Sequence, residues 1–150
     1  MATNDLLQRL PMKDDVTFTD LGESHRRTVE TFIAAATIAA GDAVSLDCNK
    51  TNMAEKMIYV APADTGSANT KAFVGVALAA ATAGDRVQVV TAGVVNANLA
   101  SGGASAGVPL MISTGGDFVD YSAGSVLQNA AITLEARADG TAHVIVWKQF

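Results

Sequence analysis

The residues that could do chemistry in this 150-residue sequence are few: two histidines, one cysteine and a set of aspartates beside glycines. Asp42, Asp85 and Asp117 each follow a glycine (Gly41, Gly84, Gly116). Two carboxylates brought together in a fold can share a proton and act as acid and base. The same Gly-Asp pairs are also ordinary turn chemistry, because glycine reaches positive φ freely and aspartate bonds its own backbone. His25 lies in a charged N-terminal stretch and His143 between Ala142 and Val144; neither has a second His or Cys at metal-ligand spacing. Cys48 is alone, so it forms no internal disulfide, and it reads as a small buried or half-buried residue. The glycine-rich "ASGGASAG" at 100–107 has no Gly-Lys-Ser/Thr after it and reads as a flexible loop, not a phosphate cradle. These residues assemble no nucleophile, base or metal constellation. The expectation is a protein that is not an enzyme and uses no cofactor and no metal.

The elements that would position those residues fall into two compositional parts. Residues 1–30 carry ten of the charged residues and one of the 13 glycines; the other glycines begin at Gly41. The first part reads as a polar arm and residues 31–150 as a β-rich domain. At the junction, Val29, Phe32, Ile33 and Ala36 have a weak helical spacing, and the β-branched run "TVETFI" competes with it. Beyond it, "GDAVSLD" sets Val44 and Leu46 at period two after a turn, and "GDRVQVV" does the same with Val87 and Val89. "AGVVNANL" follows Gly93, "GVPLMIS" begins at Gly107, and "AHVIVW" follows "ADGT", where Asp139-Gly140 is a hairpin-turn signal. Gly66, Gly75, Gly84, Gly93 and Gly102 fall nine residues apart, about one short strand plus one turn. The reading is a run of short antiparallel strands in a small barrel or sandwich. Ala and Val dominate these strands and aromatics are 5 %, so the core must be thin and closely packed. Val74, Val76, Val87 and Val89 are expected on one buried face, with Arg86 opposite.

Composition excludes several classes. The apolar stretch Ala72–Ala100 is interrupted at Gly84, Asp85 and Arg86, well short of the ~18 apolar residues of a membrane helix. The N-terminus has Asp5 early and no secretory apolar core. The net charge is −5 and Lys and Arg cluster only at Arg26-Arg27, so neither nucleic acid nor membrane is an expected partner. Charged residues are 17 %, against roughly 25 % in typical soluble domains, which points to surface covered by a protein partner.

Four segments together resemble one family: "AAGDAVSLD" (39–47), "AFVGVALAAATAGDRVQVVTAGVVNA" (72–97), "AGVPLMISTGGDFV" (106–119) and "AITLEARADGTAHVIVW" (131–147). The pattern is Gly41, Asp42 and Val44; the Val74–Ala77 strand; Gly84, Val87 and Val89 leading to a hairpin at Gly93-Val94; and a turn at Gly107 and Leu110. It is similar to the capsid cement or head-decoration proteins of tailed phages. The resemblance implies an all-β fold, a small β-tulip or barrel-like domain of short antiparallel strands with an extended N-terminal arm. It further implies a homotrimer on the outer surface of the virion, at three-fold and quasi-three-fold sites. There it would clamp the major capsid protein against internal DNA pressure, after synthesis in the host cytoplasm. The charged arm is longer than in the shortest members. Its isolated apolar residues Leu6, Leu7, Leu10, Met12, Val16, Phe18 and Leu21 are the candidate capsid-binding residues, adding a strand to a partner's sheet edge; the alternative is a tail with no partner. A different function class also stands: a small β-barrel binding or carrier domain associated with an enzyme system. "EKMIYV" (55–60) resembles the Met-Lys-Met hairpin of biotinyl carriers, with Glu55 where that pattern has methionine.

Overall fold

The β-branched run wins at the junction: Thr28–Ala34 is strand β1. Thr, Val and Ile have stiff χ1 angles that suit a pleated surface better than a helix. The strand takes in the last three residues of the segment that composition assigned to the arm. The computed structural model describes residues 27–64, 72–101, 105–122 and 130–147. After β1 come β2 (Ala43–Leu46), a short helix α1 (Met53–Ile58), β3 (Tyr59–Pro62), β4 (Phe73–Ala77) and β5 (Arg86–Asn98). Then follow β6 (Pro109–Ile112), β7 (Phe118–Asp120), β8 (Ala131–Thr133) and β9 (Thr141–Val146). The fold is all-β. Among the described residues no helix is long and apolar enough to cross a membrane.

Five strands close into a small barrel in the order β1-β3-β2-β4-β5, with β5 pairing back to β1. A five-stranded barrel has room inside only for small side chains. Its interior is accordingly Ala34, Val44, Val60, Val74, Ala77, Val87 and Val89, with Ile38 and Ala81 at one end. This is the physical reason for a sequence so rich in Ala and Val. Within the barrel the pairing departs from the antiparallel expectation at one place: β1 and β3 are parallel, Ile33 opposite Tyr59 and Ala34 opposite Val60. Strand directions cannot alternate all the way round a closed ring of five, so one seam has to be parallel, and it falls between β1 and β3.

Two further expectations are corrected in β4 and β5. Val74 and Val76 do not share a face. The register of β2 against β4 slips between Val44 and Ser45, so Ser45 lies opposite Phe73 and Val74 is the extra residue of a bulge. Val74 therefore enters the barrel with Val87 and Val89, while Val76 enters a second core with Phe73 and Val90. Nor does a hairpin form at Gly93-Val94. β5 runs 13 residues without reversal, and Gly93, at φ 112°, lies within it. Before Gly93 the strand pairs with β1 and β4; from Gly93 onward it pairs with β9. The chain continues because each half already has a partner.

The second half of β5 begins a second sheet, β5-β9-β8-β6-β7, whose last strand returns through a parallel bridge from Phe118 to Leu99. Its inner face and the flank of the barrel enclose the second core, which includes Val95, Leu99, Leu110, Ile112, Phe118, Val144 and Val146. Phe73 of the barrel meets Phe118 of the sheet edge-on, ring centres 6.1 Å apart and planes at 79°. The turn before β9 is as expected: Asp139 and Gly140 both have positive φ (49° and 84°), the type I′ geometry that suits a twisted hairpin. The nine-residue glycine period has no common structural cause. Gly75 allows β4 to approach β5, since a Cβ there would lie 2.0 Å from the Val90 carbonyl oxygen. Gly84 turns the chain into β5, and Gly66 and Gly102 lie outside the described residues.

Cys48 is exposed, against expectation. It sits in the tight turn after β2, where the Asn49 N–H donates to Asp47 Oδ1 at 3.1 Å and the turn points the thiol outward. Lys56 lies within α1, capped by Asn52, and not at the tip of a hairpin, so the likeness to a carrier's lysine turn ends with the sequence.

Candidate functional site

Two of the three Gly-Asp pairs converge where the barrel meets the second sheet. Asp42, 6 % exposed, precedes β2. Its Oδ2 accepts from the Ala39 N–H at 2.7 Å and its Oδ1 from the Asn98 side-chain amide at 2.9 Å. The same amide nitrogen donates to the Ala40 carbonyl at 2.9 Å, and the Asn98 backbone N–H to the Gly41 carbonyl at 2.9 Å. The turn at 39–42 is thus fastened to the end of β5. Gly116 packs so closely that a Cβ on it would come within 2.9 Å of Asp42 Cβ. Next to it, Asp117 has its carboxyl held above the ordinary range, first by burial and then by the negative charge of Asp42; Arg137 opposes both. Carboxylates do converge, as acid–base chemistry would need. Yet both oxygens of Asp42 are already acceptors in a structural lattice, and what the arrangement does is lock barrel to sheet.

The other candidates are local. Asp85 accepts from the Thr82 backbone N–H at 3.2 Å and from the Thr82 hydroxyl, and these bonds hold its carboxyl below the ordinary range. It closes the turn into β5. His143 stands on the outer face of β9, its Nδ1 2.5 Å from Glu135 Oε1, and its backbone N–H donates to the same oxygen at 3.0 Å. That backbone bond, followed by the ring's, lowers the Glu135 carboxyl. Among the described residues no group of three or more His, Cys, Asp or Glu side chains could hold a metal ion.

The most distinctive surface is apolar. Residues opposite one another in neighbouring strands project from the same face. Val94 lies opposite Ile145, Ile145 opposite Ile132, and Ile132 opposite Pro109, so one apolar row crosses four strands on the outer face of the second sheet. Trp147 and Leu134 flank it; Ile145, Trp147 and Leu134 are 38 %, 37 % and 46 % exposed. The sequence reading missed this surface. Its signal was present in "AHVIVW": Ala142, Val144 and Val146 face inward, and an ordinary half-solvated strand would have put polar residues at 145 and 147 as well as at His143. The arm residues Leu6, Leu7, Leu10, Met12, Val16, Phe18 and Leu21 lie outside the described residues.

No protein-family model matches the chain, and no curated protein matches it. Among solved structures it is similar to the head fiber gp8.5 N base of bacteriophage phi29, with a TM-score of 0.56 and 15 % sequence identity. The match covers 80 % of this chain and 93 % of that one. At that identity the likeness is one of fold.

Proposed function

We propose that the protein is a structural component of a tailed-phage head. The likeness of its fold to a phage head fiber base carries this reading. The short motifs that resemble head-decoration proteins point the same way, and they are independent of the fold comparison. In finer detail, it is a decoration protein that binds the major capsid protein on the outside of the shell, as a homotrimer at three-fold and quasi-three-fold sites. It stabilises the shell by contact alone, without catalysis. An apolar row such as Val94, Ile145, Ile132 and Pro109 suits that work, since burying apolar surface is the main drive for protein association. The arm residues Leu6 to Leu21 supply further contacts on the shell.

The test is to mix the purified protein with undecorated capsids, sediment them and image the pellet. Co-sedimentation with density at three-fold and quasi-three-fold positions is expected. Removing residues 2–21 should weaken attachment. A full-length protein that stays in the supernatant, or density confined to two-fold axes, would overturn the reading.

A further inference from the structure

The 39–42 turn has a counterpart in the same chain. The shift that carries Gly41-Asp42 onto Gly84-Asp85 also carries Ala34 onto Ala77, Ile38 onto Ala81 and Val44 onto Val87. It carries the hydrogen bonds as well. The Ala77 N–H donates to the Asp42 carbonyl at 2.9 Å, and the Ala34 N–H to the Asp85 carbonyl at 2.8 Å. The Gly41 N–H donates to the Ala77 carbonyl at 2.9 Å, and the Gly84 N–H to the Ala34 carbonyl at 2.8 Å. Ile38 and Ala81 exchange a bond in each direction, both at 2.9 Å, so an internal two-fold axis passes between them. The strands obey it: Ile33 opposite Arg86 and Phe32 opposite Val87 become Val76 opposite Ala43 and Gly75 opposite Val44. Gly41 and Gly84 have similar positive φ, 87° and 93°. In each turn the aspartate Oδ2 accepts from the N–H three residues before it, Ala39 at 2.7 Å and Thr82 at 3.2 Å.

The two turns differ in what meets them. At the first, Asn98 finds three acceptors. Its side-chain amide donates to Asp42 Oδ1 and the Ala40 carbonyl, and its backbone N–H to the Gly41 carbonyl. The axis places Asp85 Oδ1 and the carbonyls of Ala83 and Gly84 in the same arrangement on the second turn. Residues 82–86 are exposed, and a Cβ added at Gly84 would meet nothing within 4 Å, whereas one at Gly41 would meet Asn98 at 2.8 Å. Among the described residues no donor reaches those three oxygens of the second turn.

We propose that the 82–85 turn is a docking site for an extended segment of a partner protein that presents an asparagine as Asn98 does. The partner's side-chain amide bonds Asp85 Oδ1 and the Ala83 carbonyl, and its backbone N–H bonds the Gly84 carbonyl. The first turn supplies the template for this chemistry, and an ionised acceptor strengthens it. The site stands whether or not the partner is a capsid protein.

The probe is a blocked peptide with the sequence of residues 95–100, Val-Asn-Ala-Asn-Leu-Ala, titrated into isotope-labelled full-length protein. By NMR the backbone amides of residues 82–86 should shift saturably, with a Kd in the millimolar range that befits three hydrogen bonds. The peptide carrying Asn98→Leu should leave them unmoved. So should the native peptide added to an Asp85→Ala protein whose strand amides elsewhere show it folded. Flat amides at 82–86, or equal shifts with both peptides, would overturn the proposal. Shifts centred on residues 39–42 would also overturn it, since the peptide would then be displacing Asn98. If calcium alone moves the same amides and a chelator abolishes the peptide's effect, the oxygens serve a cation and the proposal fails.

Discussion

The barrel and the second sheet are built from the same Ala- and Val-rich strands, yet they treat their outer faces differently. In β1 and β5 of the barrel, the exposed positions are Thr28, Val29, Thr31, Arg86 and Gln88, all but Val29 residues that water solvates well. In β9 of the second sheet and the residue after it, the exposed positions beyond His143 are Ile145 and Trp147. Both halves have complete cores, so the second sheet does not need those side chains to fold. A closed barrel satisfies its own backbone, and its exposed apolar side chains are a lone Val29 on β1 and Met53, Met57 and Ile58 on α1 rather than a row across several strands. The second sheet has an apolar row on each side, and only the inner one is buried. The difference is that the second sheet aligns its exposed apolar side chains across strands, and the proposed function rests its contact on that row.

The largest test of this comparison is Val87→Asp. Val87 is 2 % exposed inside the barrel, and an unpaired carboxylate there should cost about 4 kcal/mol or more, enough to unfold a marginal domain. Arg86→Ala, one residue earlier and facing out, should change stability by no more than about 0.5 kcal/mol. Equal thermal melts for the two would mean that the barrel wall is wrongly assigned.

Next in size is Asp42→Ala, which removes the acceptor of the Ala39 N–H within the 39–42 turn and the acceptor of the Asn98 side-chain amide. Leaving those donors unpaired should cost about 2–3 kcal/mol by denaturant titration. Hydrogen exchange should rise in both halves, because the lock joins them; a rise in the barrel alone would show that the halves are held together elsewhere.

Asp117→Asn should act in the opposite direction. A carboxyl whose folded pKa is raised above its ordinary value of 3.8 favours folding while it is protonated, and that contribution is lost as pH rises through the folded pKa. At neutral pH the ionised Asp117 is therefore a burden beside Asp42. The asparagine variant should melt higher than the parent at pH 7, with the gap closing as pH falls toward 3.8. A lower melting temperature at pH 7 would mean that the attraction of Arg137 outweighs burial and Asp42.

The smallest effect on stability is expected from Ile145→Ser. Its side chain is 38 % exposed, so the substitution should shift stability by no more than about 0.5 kcal/mol while changing association or dye binding at the face. A loss as large as that of Asp42→Ala would place Ile145 in the core and erase the contrast between the halves.

Local sequence determined the short-range features of this protein. Period-two valines at 87 and 89 and the Asp139-Gly140 pair depend on the pleat of a strand and on φ preferences, which neighbouring residues settle. The Ala and Val content likewise announced a narrow core. Features that need a distant partner were decided only by the tertiary structure. Whether Gly93 bends or reverses the chain depends on β9 waiting more than forty residues away. Whether Val74 and Val76 share a face depends on the register against β2. The meeting of Asp42 with Asp117 depends on strands joined through the second sheet. The apolar row exists because four strands, drawn from β5, β6, β8 and β9, align one outward residue each. Alternation within a strand says which residues share a face, but only the pairing of strands says which faces become one surface.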